Sequence, residues 1–488
     1  MPRSTWPLLL AVLLAGCSVG GESRKKPAAA AEGPAATPLV SRPDLRPPAV
    51  SVDRAPERAG RRLIFVSPRI EKPDRDKRTN QQGALALDER GRTVLFRPAG
   101  GEPVTDVRVQ RYRGRPVLTW WQGAASKLGI GRGQGIIVDS SYQTIATVQA
   151  GNGETHDLHE FLLTPRGTAL LTIYSRVRRD LRPLGGRADA QVTQGIVQEV
   201  DVESGRVLFE WESIDEIAPS ESHHPLPKGK DDSYDYFHIN SVEEDADGDL
   251  VISARHTSAI YKVDRQTGRL EWRLGGKRSD FEMGPGTDFG LQHDARWVGP
   301  DRLQLFDNTS EEKPGPSSVK VLRLDTERMR ATLERRLEQP DGMRAESQGN
   351  AQALPDGSVM VGWGSAGAFS LFDARDELVF DAHLPAHFDS YRAYIAPWVG
   401  RPATRPAIRV RDEEGQVTAW VSWNGATEVR GWQLLAGPSR EGLRPVGGVT
   451  EWQGLESTLV RMTEEKYVAV AALDADGREI GRSEAVPR

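Results

Sequence analysis

Short runs in which apolar and polar residues alternate recur through the middle of the chain, in pairs joined by a polar turn. One such pair is "AIYKVDRQTGRLEWRLGG" from Ala259; others begin at Ala84, Gly135, Ile196, Ser318 and Phe369. A period of two sends alternate side chains to opposite faces, so each run predicts a half-buried β-strand and each pair a hairpin. Between these lies a second series of hairpins, beginning at Asp106, His156, His238, His293 and Asn350. Two hairpins per period make a four-stranded sheet. A unit repeating every roughly 50 to 65 residues has the period of a propeller blade. The six hairpins of the first series therefore predict an all-β fold with a six-bladed β-propeller over residues 58–403. A pair of stacked sandwiches is the competing arrangement.

After Trp398 the pattern changes. "AIRVRDEEGQVTAWVSWNGATEVRGWQLLAG" and "KYVAVAALDADGREIGRSEAV" read as strands spaced for a small β-sandwich over residues 404–488. Its last hairpin resembles the fibronectin type III module, which implies a structural unit without catalytic residues. At the other end, Arg3 precedes an apolar run from Trp6 to Leu14, followed by Ala15-Gly16-Cys17. The run is too short for a stable membrane span and has the layout of a secretory signal. "LAGC" resembles a bacterial lipobox, which implies diacylation of Cys17, the single cysteine of the chain. The expected protein is exported and lipid-anchored at the outer membrane or cell surface, with residues 1–17 as signal and the membrane as a partner. An ordinary signal with a chance cysteine is the alternative. Residues 18–57, rich in Ala, Pro, Ser and Arg without an apolar period, are expected to form a disordered tether.

Composition narrows the function. Of 488 residues 38% are hydrophobic and 27% charged, with net charge −5 and mixed signs, a soluble globular profile. No basic stripe appears, so nucleic acid is not an expected partner. Only nine histidines are present, and several fall at one position of the repeat. His156 or His159, His238, His293 and Asn350 begin the first strands of consecutive units. Arg255 and His256 end the strand after His238; Asn308 ends the matching strand after His293. First strands of a propeller line its channel, so these residues are expected to converge at one mouth. Arg offers a fixed fork of donors to an oxyanion. Neutral His serves as nucleophile, base or acid near neutral pH, and Asn donates to developing negative oxygen. The set suits an anionic ester or sulfuryl group, and no cofactor is expected. A zinc site is the sharp competitor, but dispersed ligands beside an arginine argue against it, so no metal is assigned. Satisfied core polar groups are the plain alternative. His223 and His224, in "SESHHPLPKGKDDSYDY", are expected in a loop over the mouth. His383 and His387 are expected at the surface or between blades.

The segments "HDLHEFLLTPRGTALLTIY", "YFHINSVEEDADGDLVISARHTSAIYKV", "WRLGGKRSDF", "LQHDARW", "FDNTS" and "SYRAYIAPWVG" resemble the PAPS-independent arylsulfotransferase family over about 84–400. The resemblance implies a sulfotransferase that moves a sulfuryl group from an aryl sulfate to a phenol through a transient sulfohistidine. It implies His293 of "QHDAR" as carrier, with His238 and Arg255 holding sulfuryl oxygens. It makes His159 an acid/base or oxyanion contact, with His156 as rival for that place. His256, Asn240, Asn308 and Asn350 are expected to support the substrate. The mature chain lacks the paired cysteines some members carry, and an added C-terminal sandwich departs from the best-known type. A surface propeller that binds an anionic or sugar ligand without catalysis is the alternative function.

Overall fold

A computed structural model describes residues 38–57, 60–70, 81–126, 128–229, 232–310 and 314–488. The signal-like segment and Cys17 lie outside the described residues. Within them the chain is all-β, with one four-residue α-helix, Ser213–Glu216, and three short 3-10 turns. No helix among the described residues is long and apolar enough to cross a membrane.

Six antiparallel four-strand units follow one another, numbered here as sheets 1 to 6. Sheet 1 joins the two ends of the repeat: Phe388–Pro397 pairs with Arg62–Ile70, followed by Gly83–Asp88 and Thr93–Pro98. Sheet 2 runs Val104–Tyr112, Arg115–Ala125, Gly131–Val138 and Thr144–Val148. Sheet 3 runs His156–Leu163, Thr168–Arg179, Ala190–Asp201 and Val207–Glu212, and its ladder joins that of sheet 2 at the pair Gly133 and His156. Sheets 4, 5 and 6 begin at Ile239–Glu244, His293–Gly299 and Asn350–Ala353. The six first strands pack against one another in chain order, and the first strand of sheet 6 packs against Phe388–Pro397. Buried apolar side chains fill the gaps between sheets. Tyr236, Phe237, Val242, Ile252 and Tyr261 sit between sheets 3 and 4; Trp272, Phe281, Leu303 and Leu305 sit between sheets 4 and 5.

Residues 38–57 of the segment expected as tether pack against the rest of the molecule. Leu45 is buried in the core of sheets 1 and 6. Ser51–Arg54 adds a fifth strand to Leu378–His383 of sheet 6. Ser41 donates its backbone N–H to Glu456 at 2.7 Å. Leu39, Leu45, Val50 and Val52 are apolar groups spaced irregularly among prolines. Burial rather than periodicity fixes this stretch.

The C-terminal region forms a three-stranded sheet, Ala407–Glu413, Gln416–Ser422 and Glu456–Met462, and a second sheet built on Arg444–Glu451, Gly431–Gly437, Tyr467–Leu473 and Glu479–Arg482. Trp432, Leu434, Leu459, Val468 and Val470 fill the space between them. This unit docks on sheet 1. Asn424 accepts from Phe96 N–H at 2.9 Å and donates to Phe96 C=O at 2.7 Å, while Gly425 N–H donates to Val94 C=O at 2.9 Å. These bonds cover the outer edge of Thr93–Pro98, which would otherwise present unpaired backbone groups.

Candidate anion site

Sheet alternation, the added strand Tyr234–Asp235 and the loop before Asn350 bring polar side chains to one cavity of about 1510 Å³. Its wall includes His159, His238, Arg255, His256 and His293, joined by Tyr174, His224, Asp235, Gln348 and Tyr391. His159 and His293 come from first strands, His238 stands just before the first strand of sheet 4, and Arg255 and His256 lie in the turn Arg255–Ser258 that follows its second strand. Backbone in the left-handed region clusters here: φ is 54° at His238 and 65° at Gln348, both outside glycine. Such conformations persist only where surrounding contacts over-determine them.

His293 is almost fully buried. Its Nδ1 lies 2.8 Å from Asn308 Oδ1 and 3.1 Å from Leu291 C=O. The Asn308 amide is oriented by its own donors, since Nδ2 bonds Ala345 C=O at 3.0 Å and Gln348 C=O at 2.9 Å. Two acceptors at Nδ1 require the proton there. Nε2 therefore carries the lone pair, which accepts Gln348 N–H at 3.2 Å. Burial, reinforced by the Arg255 charge, holds the ring well below the ordinary imidazole range, against the opposing Asn308 bond. His293 thus turns a pre-oriented Nε2 lone pair away from its Asn308 anchor.

The other rings follow the same rule. His159 directs Nδ1 to Asp157, whose other oxygen takes Gly131 N–H at 2.5 Å. His238 directs Nδ1 to Asp235 Oδ2 at 2.5 Å, and His256 directs Nδ1 to Asp235 C=O at 2.6 Å. The His159 and His238 rings meet edge-on at 5.1 Å, and His224 stacks on His256 at 4.2 Å. Burial, His159 and Arg255 hold His238 well below the usual imidazole range. Burial and His238 do the same for His256. Burial raises Asp235, partly offset by the neighbouring histidines. Arg255 donates to Glu346 C=O at 3.2 Å, its Nε has no hydrogen-bond partner, and burial lowers its pKa. A half-buried guanidinium held by one carbonyl, with spare donors, can receive an anion.

Asp235, His238 and His256 are also the described residues that could hold a metal ion, with ligand atoms within 4.8 Å of one another. The 2.5 Å separation of His238 Nδ1 and Asp235 Oδ2 is that of a hydrogen bond and tighter than two ligands around zinc, and Arg255 adds positive charge beside it. The donor set fits protons better than a cation.

Four expected site residues face elsewhere. His156 lies three positions before His159 in a bulge opposite Leu171–Ile173, and the two rings part. His156 packs on Phe161, places Nε2 3.1 Å from Glu160 C=O and borders a separate 350 Å³ cavity. Asn240 donates to Gln292 C=O at 2.8 Å, fixing the approach to His293. Asn350 clamps both Ala393 N–H and C=O, at 2.8 and 2.9 Å, and so joins sheet 6 to sheet 1. These two amides satisfy backbone groups between sheets. Asn308 reaches the substrate space only through His293. Of the remaining histidines, His224 lines the cavity, while His383 pairs with Asp53 at 2.9 Å on the outside.

Beneath the cavity lies a buried ionic cluster that local pattern does not announce. Glu160 binds Arg108 at 2.6 Å, Arg392 at 3.1 Å and Arg296 through its second oxygen. Asp106 and Asp294 complete three acids against three arginines. The cluster joins the first strands of sheets 1, 2, 3 and 5. Tyr391, next to Arg392, forms the cavity floor.

Residues 108–384 match the model of the arylsulfotransferase (ASST) family, and the chain belongs to that family. Comparison with curated proteins gives no match. Solved structures similar to this chain include a protein of unknown function from Bacteroides caccae, at 10% identity and TM-score 0.42, covering 69% of this chain and 99% of that one. A putative 6-phosphogluconolactonase from Bacteroides fragilis shows 9% identity and TM-score 0.35, covering 69% and 98%. A virginiamycin B lyase from Staphylococcus aureus, solved as a catalytically inactive form with quinupristin, shows 11% identity and TM-score 0.34, covering 76% and 96%. These similarities are too low to bear on the activity.

Proposed function

We propose that the protein is a PAPS-independent sulfotransferase that moves a sulfuryl group from an aryl sulfate to a phenol, with His293 as carrier. The observation that carries this reading is the His293 ring. It is neutral, its proton is fixed on Nδ1 by Asn308, and its Nε2 shares a cavity with Arg255. The six first strands, packed in cyclic order, support a six-bladed propeller whose channel is this cavity. The docked C-terminal unit is read as its fibronectin-like companion. The lipid anchor on Cys17 is part of the same proposal for an exported enzyme.

In the first half-reaction His293 Nε2 attacks sulfur in line as the bond to the donor's phenolic oxygen breaks. The departing oxygen takes a proton from Nε2 of His159, which enters this step as imidazolium with Nδ1–H held by Asp157 and leaves it neutral. Arg255 and His238 bind the sulfuryl oxygens, and the Gln348 N–H that occupied the nucleophile's lone pair is released to them. In the second half the acceptor phenol returns its proton to His159, its oxygen attacks sulfur, and the N–S bond breaks. Positioning and charge stabilisation supply most of the rate, as in phosphoryl transfer. A covalent carrier implies ping-pong kinetics. Purified protein with a chromogenic aryl sulfate and a phenol should show parallel initial-rate lines, and His293→Ala should abolish turnover. Saturable donor binding without turnover would leave a binding module instead.

A further inference from the structure

The insertion between sheets 3 and 4 contributes more than a loop at the rim. After Ser213–Glu216 and the histidine pair, Tyr234–Asp235 joins the sheet-3 strand Ala190–Asp201 in parallel, with Asp235 opposite Thr193. That added strand carries Asp235 under two histidines. Its Oδ2 lies 2.5 Å from His238 Nδ1 and 3.7 Å from His256 Nδ1, and its Oδ1 is buried without a hydrogen-bond partner. The contact with His238 leaves Nε2 as the ring nitrogen available to the cavity.

The state of that nitrogen depends on one proton. With Asp235 ionised and His238 neutral, Nδ1 holds the ring proton and Nε2 is an acceptor, which repels a sulfate oxygen. With one proton added to the pair, Nε2 becomes an N–H donor, whether the shared proton sits nearer Nδ1 or the carboxylate. We propose that Asp235 and His238 form a proton-sharing pair that takes up a proton together with the sulfate ester, with Asp235 as the positioning residue. The proposal rests on the anion-binding part of the functional reading. Burial raises Asp235, and burial with His159 and Arg255 lowers His238, which brings the proton affinities of the two touching groups closer together. The surrounding groups set its affinity. Arg255, His159, His224, His256 and His293 oppose a further positive charge, while Asp157 favours it; Tyr174, 5.4 Å from His238, and Tyr234 are neutral neighbours. An arriving anion offsets the repulsion, so anion and proton bind cooperatively.

Calorimetry of the full chain in buffers of different ionisation enthalpy tests this, with inorganic sulfate and benzenesulfonate as non-transferable probes. Wild-type protein should take up about one proton per anion near pH 7, and affinity should fall as pH rises. Asp235→Asn keeps an acceptor at Nδ1 but removes the shared charge; it should bind about tenfold more weakly with proton uptake near zero. Asp235→Glu should restore part of the uptake, and thermal melts should show all three proteins folded. Unchanged uptake in Asp235→Asn, or no uptake or no binding in wild type, overturns the pair. Stoichiometric zinc in the purified protein that Asp235→Asn lacks also overturns it, because the cluster is then a metal site. Proton-linked binding without sulfuryl transfer sinks the transferase reading alone; turnover without proton uptake sinks the pair alone.

Discussion

In the proposed transfer the tautomer of one imidazole decides the chemistry at the residue scale. Asn308 would act on it through His293, by accepting Nδ1–H while its own amide is held by Ala345 and Gln348 carbonyls. Asn308→Ala should therefore lower kcat by about 10²-fold or more with little change in donor KM, as expected when a nucleophile loses its orientation. A steady-state assay beside a thermal melt checks this; a change confined to KM would contradict it. At this scale the sequence is only partly legible. His238, Arg255, His256 and His293 mark the cavity because each ends or begins a strand at one repeat position. Asn350 shares that position and Asn240 lies two residues after His238, but both serve backbone groups between sheets. His156 and His159 cannot be ranked by spacing, because a bulge separates their faces. Asp235 escapes notice because its two-residue strand belongs to an insertion and pairs in parallel with a strand far earlier in the chain.

At the scale of elements, the first strands meet through ions as well as apolar contacts. Burial alone would raise Glu160, but Arg296, Arg392 and Arg108 override it and hold the carboxylate far below its ordinary range. Removing one partner leaves buried charge uncompensated. Glu160→Gln should cost about 3–5 kcal/mol in urea denaturation. The pH dependence follows from the depressed folded-state pKa. The stabilisation is complete above the ordinary glutamate value of about 4.3 and is lost as pH falls from there towards the folded value. Wild type should therefore lose stability on acidification below that value, and Glu160→Gln should show a smaller slope. Equal slopes would mean that the cluster does not hold the strands. Alternation predicts each hairpin here because it is local. The cluster assembles four strands from Asp106 to Arg392, and no window along the chain contains it.

For the whole molecule, two additions hold the outside of sheets 1 and 6. Residues 38–57 run from the C-terminal unit, through Ser41 and Glu456, to an extra strand on sheet 6. Asn424 seals the edge of sheet 1. Asn424→Ala leaves Phe96 N–H and C=O without these partners and should cost about 1–3 kcal/mol. It should lower the melting temperature and leave sulfuryl transfer unchanged; loss of activity at full stability would link the sandwich to the site. The repeat made the all-β architecture legible, and "SYRAYIAPWVG" carried the family resemblance. That this stretch forms the first strand of sheet 1, paired with Arg62–Ile70, depends on contacts across more than three hundred residues. The most direct measurement is intact-peptide mass spectrometry after rapid mixing with an aryl sulfate and alkaline quench, without acceptor. The account predicts a single acid-labile sulfuryl group on His293, discharged on adding a phenol and absent from His293→Ala. Sulfuryl transfer that proceeds while His293 stays unmodified, or a sulfuryl group trapped on another residue, would contradict it.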